Sequence, residues 1–557
     1  MMEAADSVGF AGKQMAEDRI ETDVVVIGGG ATGIGTLRDL SLRGIACVLV
    51  EQGGIAHGTS SRFHGLLHSG GRYAVNDTLS AKECIEENTI LRRIGAQCVE
   101  ETEGFFVLLP EDDPDYVEKW LPCCKEAGIQ TEELSVEEAR RLEPEISPQA
   151  VRVFRVPDSC VDGFRLVLHN AMSARRHGGR VLLYHKVIGI SQQNGCIQSV
   201  EVVNTLTGEK KTLFCRAVVN AAGSWSGQIA ALAGLDVPVS PDKGSLIVFN
   251  HRFTSRVVNR LHPGSDGDIF VPHGSITILG TTSVATDRPD DTRPSRQEIL
   301  RLLDIGEPLF PKLRSYRILR AFAGTRPLYT PGNAQGRSAS RNFQVFDHAR
   351  DGLQGFFSIF GGKLTTYRLM AERVSDAVAA YLHVSAPCTT QDQPMVTQAD
   401  PQRLEQTRRC FPVGDLSLMA DRVGDDLDKV LDLAQKRTQV SPAGNPLICE
   451  CEMVSLAEIE SIAQDQDSHS LTDIRLRTRL GMGTCQGTFC ALRAVNTMFE
   501  HDITLSKDPL CELHGFLQER FRGLTPTLWG TQAQEMQLSH AIYAGVLNVR
   551  NAYANNN

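Results

Sequence analysis

The segment DVVVIGGGATGIGTLRDLSLRGIACVLVEQ, residues 23–52, constrains the fold of this chain more than any other. Val24–Ile27 predicts a buried β-strand, the glycines predict a tight turn, and the residues after them have the periodicity of an amphipathic helix. Ala46–Val50 predicts a second strand, which ends at the acidic residue Glu51. The order of these elements predicts a βαβ unit of the kind that binds dinucleotides.

Three glycines of this turn form the pattern GxGxxG: Gly28, Gly30 and Gly33. The first permits the tight turn, the second lets backbone amides approach a pyrophosphate, and the third lets helix and strand pack closely. The N-terminus of the helix then faces the phosphates, and Thr32 in its first turn is a further candidate cofactor ligand. We expect Glu51 to accept hydrogen bonds from ribose hydroxyls.

Three later stretches favour a flavin over a nicotinamide dinucleotide. Residues 57–75, HGTSSRFHGLLHSGGRYAV, are crowded with hydroxyl, imidazole and guanidinium groups. Residues 216–226, RAVVNAAGSWS, predict a buried strand and a turn of small residues, and residues 357–372, FSIFGGKLTTYRLMAE, predict a strand, a glycine turn and a helix that begins near Thr365. The candidate flavin ligands in these stretches are Thr59, Ser60, Ser61, Gly223, Gly362, Lys363, Leu364 and Thr365.

Composition narrows the class of protein. The chain has 557 residues, 41% of them hydrophobic and 22% charged, a balance typical of a globular protein with about two to four domains. Its 15 cysteines are odd in number and lack repeat spacing, which favours a reduced, cytosolic protein. The net charge of -10 argues against general nucleic-acid binding. No apolar run approaches the roughly 18 residues of a membrane span, and we expect a disordered leader over residues 1–20.

Four cysteines near the C-terminal end form two close pairs. Cys449 and Cys451 stand in a C-x-C pattern, and Cys485 and Cys490 in a C-x4-C pattern. Four thiolates are the usual ligand set of a [2Fe-2S] cluster. A zinc site has the same ligand count, and four buried or free thiols are the plainer alternative, so the spacing leaves all three possibilities open.

Four motifs, in their order and spacing, carry a resemblance to a known family: GGGATGIGTLRDLSLRG, HGLLHSGGRY, GTRPLY and FGGKLTTYRLMAE. Residues 21–385 resemble the FAD-dependent glycerol-3-phosphate dehydrogenases, and residues 447–500 resemble the small [2Fe-2S] domain of bacterioferritin-associated ferredoxin. Their combination is similar to the anaerobic, multi-subunit branch of that family. The resemblance implies an α/β fold with an FAD-binding Rossmann-like domain of the glutathione-reductase or D-amino-acid-oxidase type. It also implies an interleaved substrate domain with a mixed β-sheet, and a small helical [2Fe-2S] domain at the C-terminus.

We therefore expect five segments along the chain. In order they are the leader, the FAD-dependent oxidoreductase with its interleaved substrate domain, a linker with a helical segment, the [2Fe-2S] domain and a C-terminal extension. Their predicted bounds are 1–20, 21–385, 386–446, 447–500 and 501–557. Residues 538–547, LSHAIYAGVL, have helix-like spacing that suits docking on a partner or on the chain's own core.

The resemblance also implies an activity and partners. It implies oxidation of sn-glycerol 3-phosphate to dihydroxyacetone phosphate by hydride transfer to FAD. Electrons then pass through the [2Fe-2S] cluster to a second flavoprotein subunit, B, and a membrane-bound iron-sulfur subunit, C, and from these to menaquinone or ubiquinone. Fumarate or nitrate is the implied final acceptor, and any FMN is expected in a partner subunit. The chain would be cytoplasmic, held peripherally at the cytoplasmic face of the inner membrane by its partners.

A phosphomonoester needs a basic pocket, because guanidinium groups bind phosphate through paired, charge-assisted hydrogen bonds. The resemblance places substrate-site positions at Arg72, Tyr73, Arg326 and Lys363. His64 and His68 are candidates for general acid or base work, since an imidazole titrates near neutral pH. Leu246 aligns with a histidine of the single-chain aerobic branch, so the sequence leaves the identity of the base open.

Two other functions fit parts of the sequence. One is an FAD and [2Fe-2S] dehydrogenase component that acts on amino acids or other hydroxy acids. The basic set Arg72, Arg326 and Lys363 argues instead for a phosphorylated substrate. The second is a non-catalytic electron-transfer protein, which would have lost the HSGGRY and GGKLTTY residues. Both stretches are present, so we expect an enzyme.

Overall fold

The structure is a computed structural model, and it describes residues 19–264, 266–329, 342–465, 467–500 and 509–549. All but two residues of the predicted leader over 1–20 lie outside the described residues. The chain divides into two compact units, each made of separate stretches. The first unit comprises the described residues of Met1–Ser61, Val167–Asp242 and Arg326–Met395. The second comprises those of Arg62–Leu166, Lys243–Thr325 and Val396–Asn557.

The strands, in chain order, are β1 Arg19–Glu21, β2 Val24–Ile27, β3 Cys47–Val50, β4 Leu66–Leu67, β5 Val99–Glu100, β6 Gly104–Leu108, β7 Glu132–Leu134, β8 Arg152–Val156, β9 Ser159–Val161, β10 Arg180–Leu182, β11 His185–Gln193, β12 Cys196–Asn204, β13 Lys210–Phe214, β14 Ala217–Asn220, β15 Val239–Phe249, β16 Val257–Arg260, β17 Ile269–His273, β18 Ile276–Gly280, β19 Val284–Ala285, β20 Ile318–Tyr329, β21 Phe343–Asp347, β22 Phe356–Gly361, β23 Leu447–Cys449 and β24 Val454–Ser455. The α-helices are α1 Ala31–Leu42, α2 Thr78–Ile94, α3 Asp115–Ala127, α4 Val136–Leu142, α5 Gly163–Arg176, α6 Ser226–Ala231, α7 Arg296–Gly306, α8 Tyr367–Leu382, α9 Pro401–Thr407, α10 Ser417–Val423, α11 Leu427–Val440, α12 Leu456–Ala463, α13 Leu471–Thr478, α14 Cys490–Glu500, α15 Pro509–Leu524 and α16 Gly530–His540. A π-helical segment, Ala541–Val546, follows α16.

The first unit is built on a six-stranded sheet with the strand order β10-β3-β2-β14-β22-β21. The first five of these strands run parallel, and β21 pairs antiparallel with β22 at the edge. Strands β2, β3 and β14 are buried along their whole length, as expected of a parallel sheet covered on both faces. The carboxyl ends of the parallel strands meet at one edge of the sheet, which is where such folds bind ligands.

Helix α1 and a smaller sheet complete the first unit. Helix α1 is buried around most of its circumference and packs against α8. The smaller sheet has four strands in the order β1-β13-β12-β11. Apolar residues of both sheets, among them Val48, Val200 and Val218, share one core. Because α1 is fixed by this packing, the turn that precedes it has a defined orientation.

The second unit is built on a nine-stranded mixed sheet. Eight of its strands have the order β19-β15-β18-β17-β16-β6-β8-β7, and the ninth strand, β20, pairs with β15. Its core contains a group of aromatic rings, with Phe253 stacked on Tyr316 at a centroid distance of 4.5 Å. Phe270 and Phe310 lie 4.5 Å apart in the same core. A three-stranded sheet, β4-β9-β5, carries part of the HGLLHS motif.

The C-terminal part of the second unit is helical, apart from the short hairpin β23-β24. Helices α12 to α15 share one core with residues such as Ile459, Ile474 and Leu513. Tyr543 is 1% exposed in the same core, and its hydroxyl donates a hydrogen bond of 2.5 Å to the carbonyl of Thr488. The segment 538–547 therefore packs through Tyr543 on the chain's own core, one of the two alternatives that its sequence left open.

The observed architecture contains the elements of the predicted fold class: a Rossmann-like parallel sheet, an interleaved mixed sheet and a helical C-terminal part. In the parts of the chain that the structure describes, none of the helices has the length and apolar content needed to cross a membrane.

Candidate functional site

The glycine turn after β2 has the close approaches that dinucleotide binding requires. Gly28 has φ +115°, and a Cβ there would lie 2.6 Å from the carbonyl oxygen of Ala221. A Cβ on Gly33 would lie 1.9 Å from the carbonyl oxygen of Gly28. Side chains are therefore excluded at both positions, which leaves backbone N–H groups at the N-terminus of α1 near any bound pyrophosphate.

The acid at the end of β3 is hydrogen-bonded on both carboxylate oxygens. Oε2 of Glu51 accepts the N–H of Gly29 at 2.7 Å, and Oε1 accepts the N–H of Gly53 at 2.8 Å. The sequence predicted ribose contacts for Glu51 but not this second task of holding two loops. A carboxylate has about four acceptor sites, so it can also accept ribose hydroxyls.

In the next loop, Ser60 and Ser61, which the sequence predicted as flavin ligands together with Thr59, form hydrogen bonds to nearby backbone groups. Thr59, Ser60 and Ser61 form one 3-10 turn. Oγ of Ser60 accepts the N–H of Ala31 at 2.9 Å, and the hydroxyl of Ser61 donates to the carbonyl of Gly58 at 3.1 Å. Ser60 thus caps the N-terminus of α1, a role that its position 29 residues away did not reveal.

Two further turns lie at the carboxyl edge of the six-stranded sheet. Gly223 follows β14 and has φ +57°. Gly362 follows β22 with φ +68°, and the N–H of Lys363 next to it donates to Oγ1 of Thr366 at 3.3 Å. Leu364, buried Thr365 and Thr366 form a 3-10 turn before α8, so the helix begins two residues after the predicted position near Thr365. Thr32, on α1, approaches the sulfur of Met370 of α8 at 4.0 Å.

Arg326 is ion-paired within the first unit. Its Nη1 atom contacts Oδ1 of Asp242, whose side chain is 2% exposed, whereas the side chain of Arg326 is 21% exposed. Sequence reasoning missed Asp242, although the residue directly precedes the KGSLIVF motif. The carboxylate fixes one end of the planar guanidinium, a group whose fork of N–H donors matches the geometry of an anion such as phosphate.

Arg72 of the second unit has a similar partner. Its Nη2 atom lies 2.5 Å from Oδ1 of Asp268, and Nε2 of His262 lies 2.9 Å from the other oxygen of that carboxylate. Burial alone would raise the pKa of Asp268, but the charge of Arg72 and the hydrogen bond with His262 hold this pKa below its usual value. Neither partner was identified from the sequence.

The HSGGRY turn that carries Arg72 is held by a buried acid. Oδ1 of Asp158 accepts the N–H of Ser69 at 2.6 Å, and its Oδ2 accepts Nδ2 of Asn259 at 3.1 Å. Burial raises the pKa of Asp158. Asp158 directly follows Pro157 at the end of β8, and nothing in its local sequence singled it out.

Three predicted site residues of the second unit form a row of rings. The centroids of His64 and His68 are 5.9 Å apart, and those of His68 and Tyr73 are 5.5 Å apart. Nδ1 of His64 accepts the N–H of Leu66 at 3.1 Å. A nitrogen that accepts this bond carries no proton, so neutral His64 holds its proton on Nε2 and presents a donor there. Leu246 is fully buried in β15, consistent with a structural role.

The four predicted ligand cysteines lie together in the second unit. The thiol of Cys490 hydrogen-bonds to Cys449 and to Cys485, and that of Cys451 hydrogen-bonds to Cys485. These contacts lower the pKa of Cys485 to about 5 and that of Cys449 to about 7, and they raise the pKa of Cys490. Burial, the largest effect on Cys451, raises its pKa.

Backbone amides point at these sulfurs. The N–H groups of Glu452 and Gly481 hydrogen-bond to the sulfur of Cys449, and those of Gly487 and Phe489 to the sulfur of Cys485. Hydrogen bonds to thiolate sulfur are a principal means by which a protein tunes an iron-sulfur cluster. The donor set and its amides thus fit a four-thiolate cluster held by Cys449, Cys451, Cys485 and Cys490.

The four thiols form pairwise hydrogen bonds and do not surround the position of a single metal ion. Among the described residues, no group of three or more Cys, His, Asp or Glu side chains is arranged to hold a single metal ion. A [2Fe-2S] cluster has two irons, each with two protein ligands, so its four ligands need not converge on one ion. A cavity of about 530 Å³ borders Cys485 and Thr488, and Phe489 at its rim is 65% exposed.

Two family models match the chain. The model described as FAD dependent oxidoreductase matches residues 23–368, and the model described as BFD-like [2Fe-2S] binding domain matches residues 447–500. The glycerol-3-phosphate dehydrogenase of Bacillus halodurans, solved with FAD, has a similar fold with a TM-score of 0.69 at 22% identity. The similarity covers 93% of this chain and 99% of that one. The chain is thus a flavoprotein of the FAD dependent oxidoreductase class with an added [2Fe-2S] domain.

Curated relatives narrow the class further. The A subunit of the anaerobic glycerol-3-phosphate dehydrogenase of Escherichia coli K12 is 42% identical over 533 residues, which cover 95% of this chain and 97% of that protein. The A1 subunit of the Haloferax volcanii enzyme is 43% identical over 543 residues, which cover 94% of this chain and 90% of that protein. This chain belongs to the family of anaerobic glycerol-3-phosphate dehydrogenase A subunits.

These comparisons confirm three predictions made from the sequence: the fold class, FAD as one cofactor and a [2Fe-2S] cluster as the other. The match to a [2Fe-2S] binding domain favours the cluster over the zinc site and the free thiols. The roles of the individual site residues stay predictions.

Proposed function

We propose that this chain is the substrate-oxidising subunit of a respiratory dehydrogenase that converts sn-glycerol 3-phosphate to dihydroxyacetone phosphate. The observation that carries this proposal is the 42% identity to a named A subunit over 95% of the chain, which includes both the glycine turn and the four cysteines. FAD, when bound, supplies a hydride acceptor, and the [2Fe-2S] cluster supplies a one-electron carrier.

The flavin site in this proposal is the carboxyl edge of the six-stranded sheet. The glycine turn and the capped N-terminus of α1 bind the pyrophosphate, and Glu51 accepts hydrogen bonds from the ribose. The turns at Gly223 and Gly362 contribute backbone groups from β14 and β22, and Thr365 lies in the turn before α8. Support comes from the shared edge of the parallel strands and from the close approaches at Gly28 and Gly33.

The phosphate of the substrate is proposed to bind the basic side chains Arg326 and Lys363 of the first unit, and Arg72 of the second unit is a separate candidate for the same role. Asp242 and Asp268 orient the two guanidinium groups by holding one end of each. A bound guanidinium with a fixed plane loses less entropy when it binds a dianion, because its orientation is already set. Tyr73 supplies a hydroxyl beside Arg72.

We propose different roles for the two histidines in handling the proton of the substrate hydroxyl. His64 presents an N–H at Nε2, because its Nδ1 accepts the backbone N–H of Leu66. We therefore assign His64 the role of hydrogen-bond donor to the substrate, and His68 the role of base. The alternative function, a dehydrogenase component for amino acids or hydroxy acids, is not favoured by the relatives.

The relatives are named as single subunits, which implies a complex of several subunits. We propose that the partners are a second flavoprotein, B, and a membrane-bound iron-sulfur protein, C, which pass electrons to menaquinone or ubiquinone. The chain would then lie at the cytoplasmic face of the inner membrane, attached through these partners. The exposed Phe489, next to the cluster ligand Cys490, offers a route from the cluster to another subunit.

The proposal is tested by an anaerobic absorption spectrum of the purified chain, recorded before and after addition of glycerol 3-phosphate. Bleaching of the flavin bands with the phosphorylated substrate, and far less with glycerol, is expected. Visible absorption that remains after flavin bleaching, and disappears with chelation of iron, reports the cluster. Flavin that bleaches with an amino acid or an unphosphorylated hydroxy acid, and not with glycerol 3-phosphate, refutes the proposal.

A further inference from the structure

Arg479 occupies a backbone position that is unusual for its residue type. It follows the last residue of α13 and has φ +65°, in the left-handed region where helices commonly end with glycine or asparagine. Its side chain is 16% exposed. An arginine in this conformation accepts a backbone penalty that glycine avoids, which points to a specific task for its side chain.

The guanidinium of Arg479 bridges two carboxylates from separate parts of the second unit. Nη1 lies 2.9 Å from Oδ2 of Asp162, and Nε lies 3.0 Å from Oε2 of Glu452. The Asp162 and Glu452 side chains are 10% and 13% exposed. Since both pairs are largely withdrawn from water, the bridge is strongly geometry-dependent.

One end of the bridge belongs to the cysteine site. Glu452 follows the cluster ligand Cys451, and its backbone N–H hydrogen-bonds to the sulfur of Cys449. Arg479 stands two residues before Gly481, whose N–H bonds to the same sulfur. The bridge thus joins the C-x-C segment to the start of the loop that carries Cys485.

The other end belongs to the segment that carries the histidine motif. Asp162 follows β9, which pairs antiparallel with β4, and the N–H of Val161 donates to the carbonyl of Gly65 at 2.7 Å. His273 packs so closely here that a Cβ on Gly65 would lie 1.7 Å from its Nε2, and the ring hydrogen-bonds to the backbone of His64. Arg479 therefore connects the β4-β9 strand pair, through Asp162, with the C-x-C segment of the cysteine site, through Glu452.

We propose that Arg479 is a positioning residue for electron transfer: it fixes the cysteine site against the strand pair that carries His64. This inference rests on the proposed function, and it adds a residue that is neither a proposed flavin contact nor a cluster ligand. The [2Fe-2S] cluster, when bound, would accept one electron at a time, with reduction of one ferric iron to ferrous, and flavin that glycerol 3-phosphate has reduced would supply that electron. Arg479 would affect the transfer of electrons from flavin to the cluster, because it places the cysteine ligands. It would not affect the oxidation of the substrate.

The test compares Arg479→Gln, Asp162→Asn and a matched control in the full chain. Asp162→Asn removes the charge at the dehydrogenase end but leaves Glu452 paired, so it tests the bridge if the first variant folds poorly. The control is Arg477→Gln: Arg477 lies on α13, has a buried side chain and pairs instead with Asp465 at 2.6 Å. Iron content, the electron paramagnetic resonance spectrum of the reduced cluster and stopped-flow reduction of flavin and cluster are recorded for each.

We expect both bridge variants to retain iron and to reduce flavin with glycerol 3-phosphate at the wild-type rate. Their subsequent cluster reduction should slow by about tenfold to a hundredfold, with an altered resonance spectrum, as for changes to groups that support metal ligands. Arg477→Gln should match the wild type. Wild-type cluster reduction in both bridge variants refutes the inference, and so does slowed flavin reduction. Failure of the wild type itself to reduce flavin with this substrate would instead refute the proposed function.

Discussion

Replacement of Glu51 by glutamine tests the link between the βαβ turn and flavin binding. The carboxylate accepts two backbone N–H groups at 2.7 and 2.8 Å. A hydrogen bond to a charged group contributes about 1.5–3 kcal/mol. The carboxamide retains one accepting oxygen but turns an N–H₂ donor towards the second backbone N–H, so one such bond is lost. It also removes one acceptor that the ribose hydroxyls would use.

Because the ribose would lose one hydrogen bond to a charged acceptor, we expect Glu51→Gln to weaken FAD binding by about 1.5–3 kcal/mol, which corresponds to an increase in Kd of about tenfold to 150-fold. The assay is fluorescence titration of the apoprotein with FAD. Glu21→Gln is the matched control, because Glu21 lies in the same unit, its side chain is 72% exposed and it pairs with the exposed Arg19 at 2.9 Å. An unchanged Kd, within about twofold of wild type, would refute the reasoning.

The thermal stability of the apoprotein separates a loss of loop anchoring, which leaves the Kd unchanged when the apoprotein and the complex are destabilised equally, from a loss of the ribose contact, which raises the Kd. If Glu51 only holds the loops at Gly29 and Gly53, the apoprotein of the variant melts at a lower temperature and the stabilisation by saturating FAD is unchanged. If Glu51 also binds the ribose, the shift of melting temperature produced by a given FAD concentration becomes smaller, since ligand stabilisation follows the ratio of concentration to Kd.

Three further predictions concern other parts of the molecule. Cys485→Ser should still reduce flavin with glycerol 3-phosphate, but it should lose or alter the cluster signal, and quinone reduction in the reconstituted complex should fall steeply; normal quinone turnover without iron would contradict this. Arg326→Ala should raise the KM for glycerol 3-phosphate far more than the KM for glycerol. The same result is expected in a double variant with Asp242→Asn, which avoids an unpaired buried carboxylate. Equal increases in KM for both substrates would place the phosphate site elsewhere. Burial and the charge of Arg479 lower the pKa of His273 to about 4, so its contribution to stability is present above the unfolded pKa of about 6.5 and is lost as pH falls towards 4. Between about pH 6.5 and pH 4, the free energy of unfolding measured with urea should fall by about 2–3 kcal/mol more in the wild type than in His273→Gln. Parallel pH profiles of this free energy in the two proteins would contradict the assignment.

The amino-acid sequence determined the local parts of this protein. The strand, turn and helix at residues 23–52 follow from residue spacing, because a hydrophobic period and a few glycines decide such units within about thirty residues. The predicted strand at Ala46–Val50 is found at Cys47–Val50. The four cysteines could likewise be selected by their spacing alone, although the choice between iron-sulfur and zinc required the comparison with known domains.

The tertiary structure alone decided which charges and caps meet. Arg72 and Asp268 are 196 residues apart in the sequence, and Arg326 and Asp242 are 84 apart, so no local pattern pairs them. The capping of α1 by Ser60 and the bridge at Arg479 depend in the same way on which loops the sheets bring together. A buried ion pair forms only where folding removes both groups from water at the same place. That place is set by the packing of whole strands and helices, which the sequence near each residue does not specify.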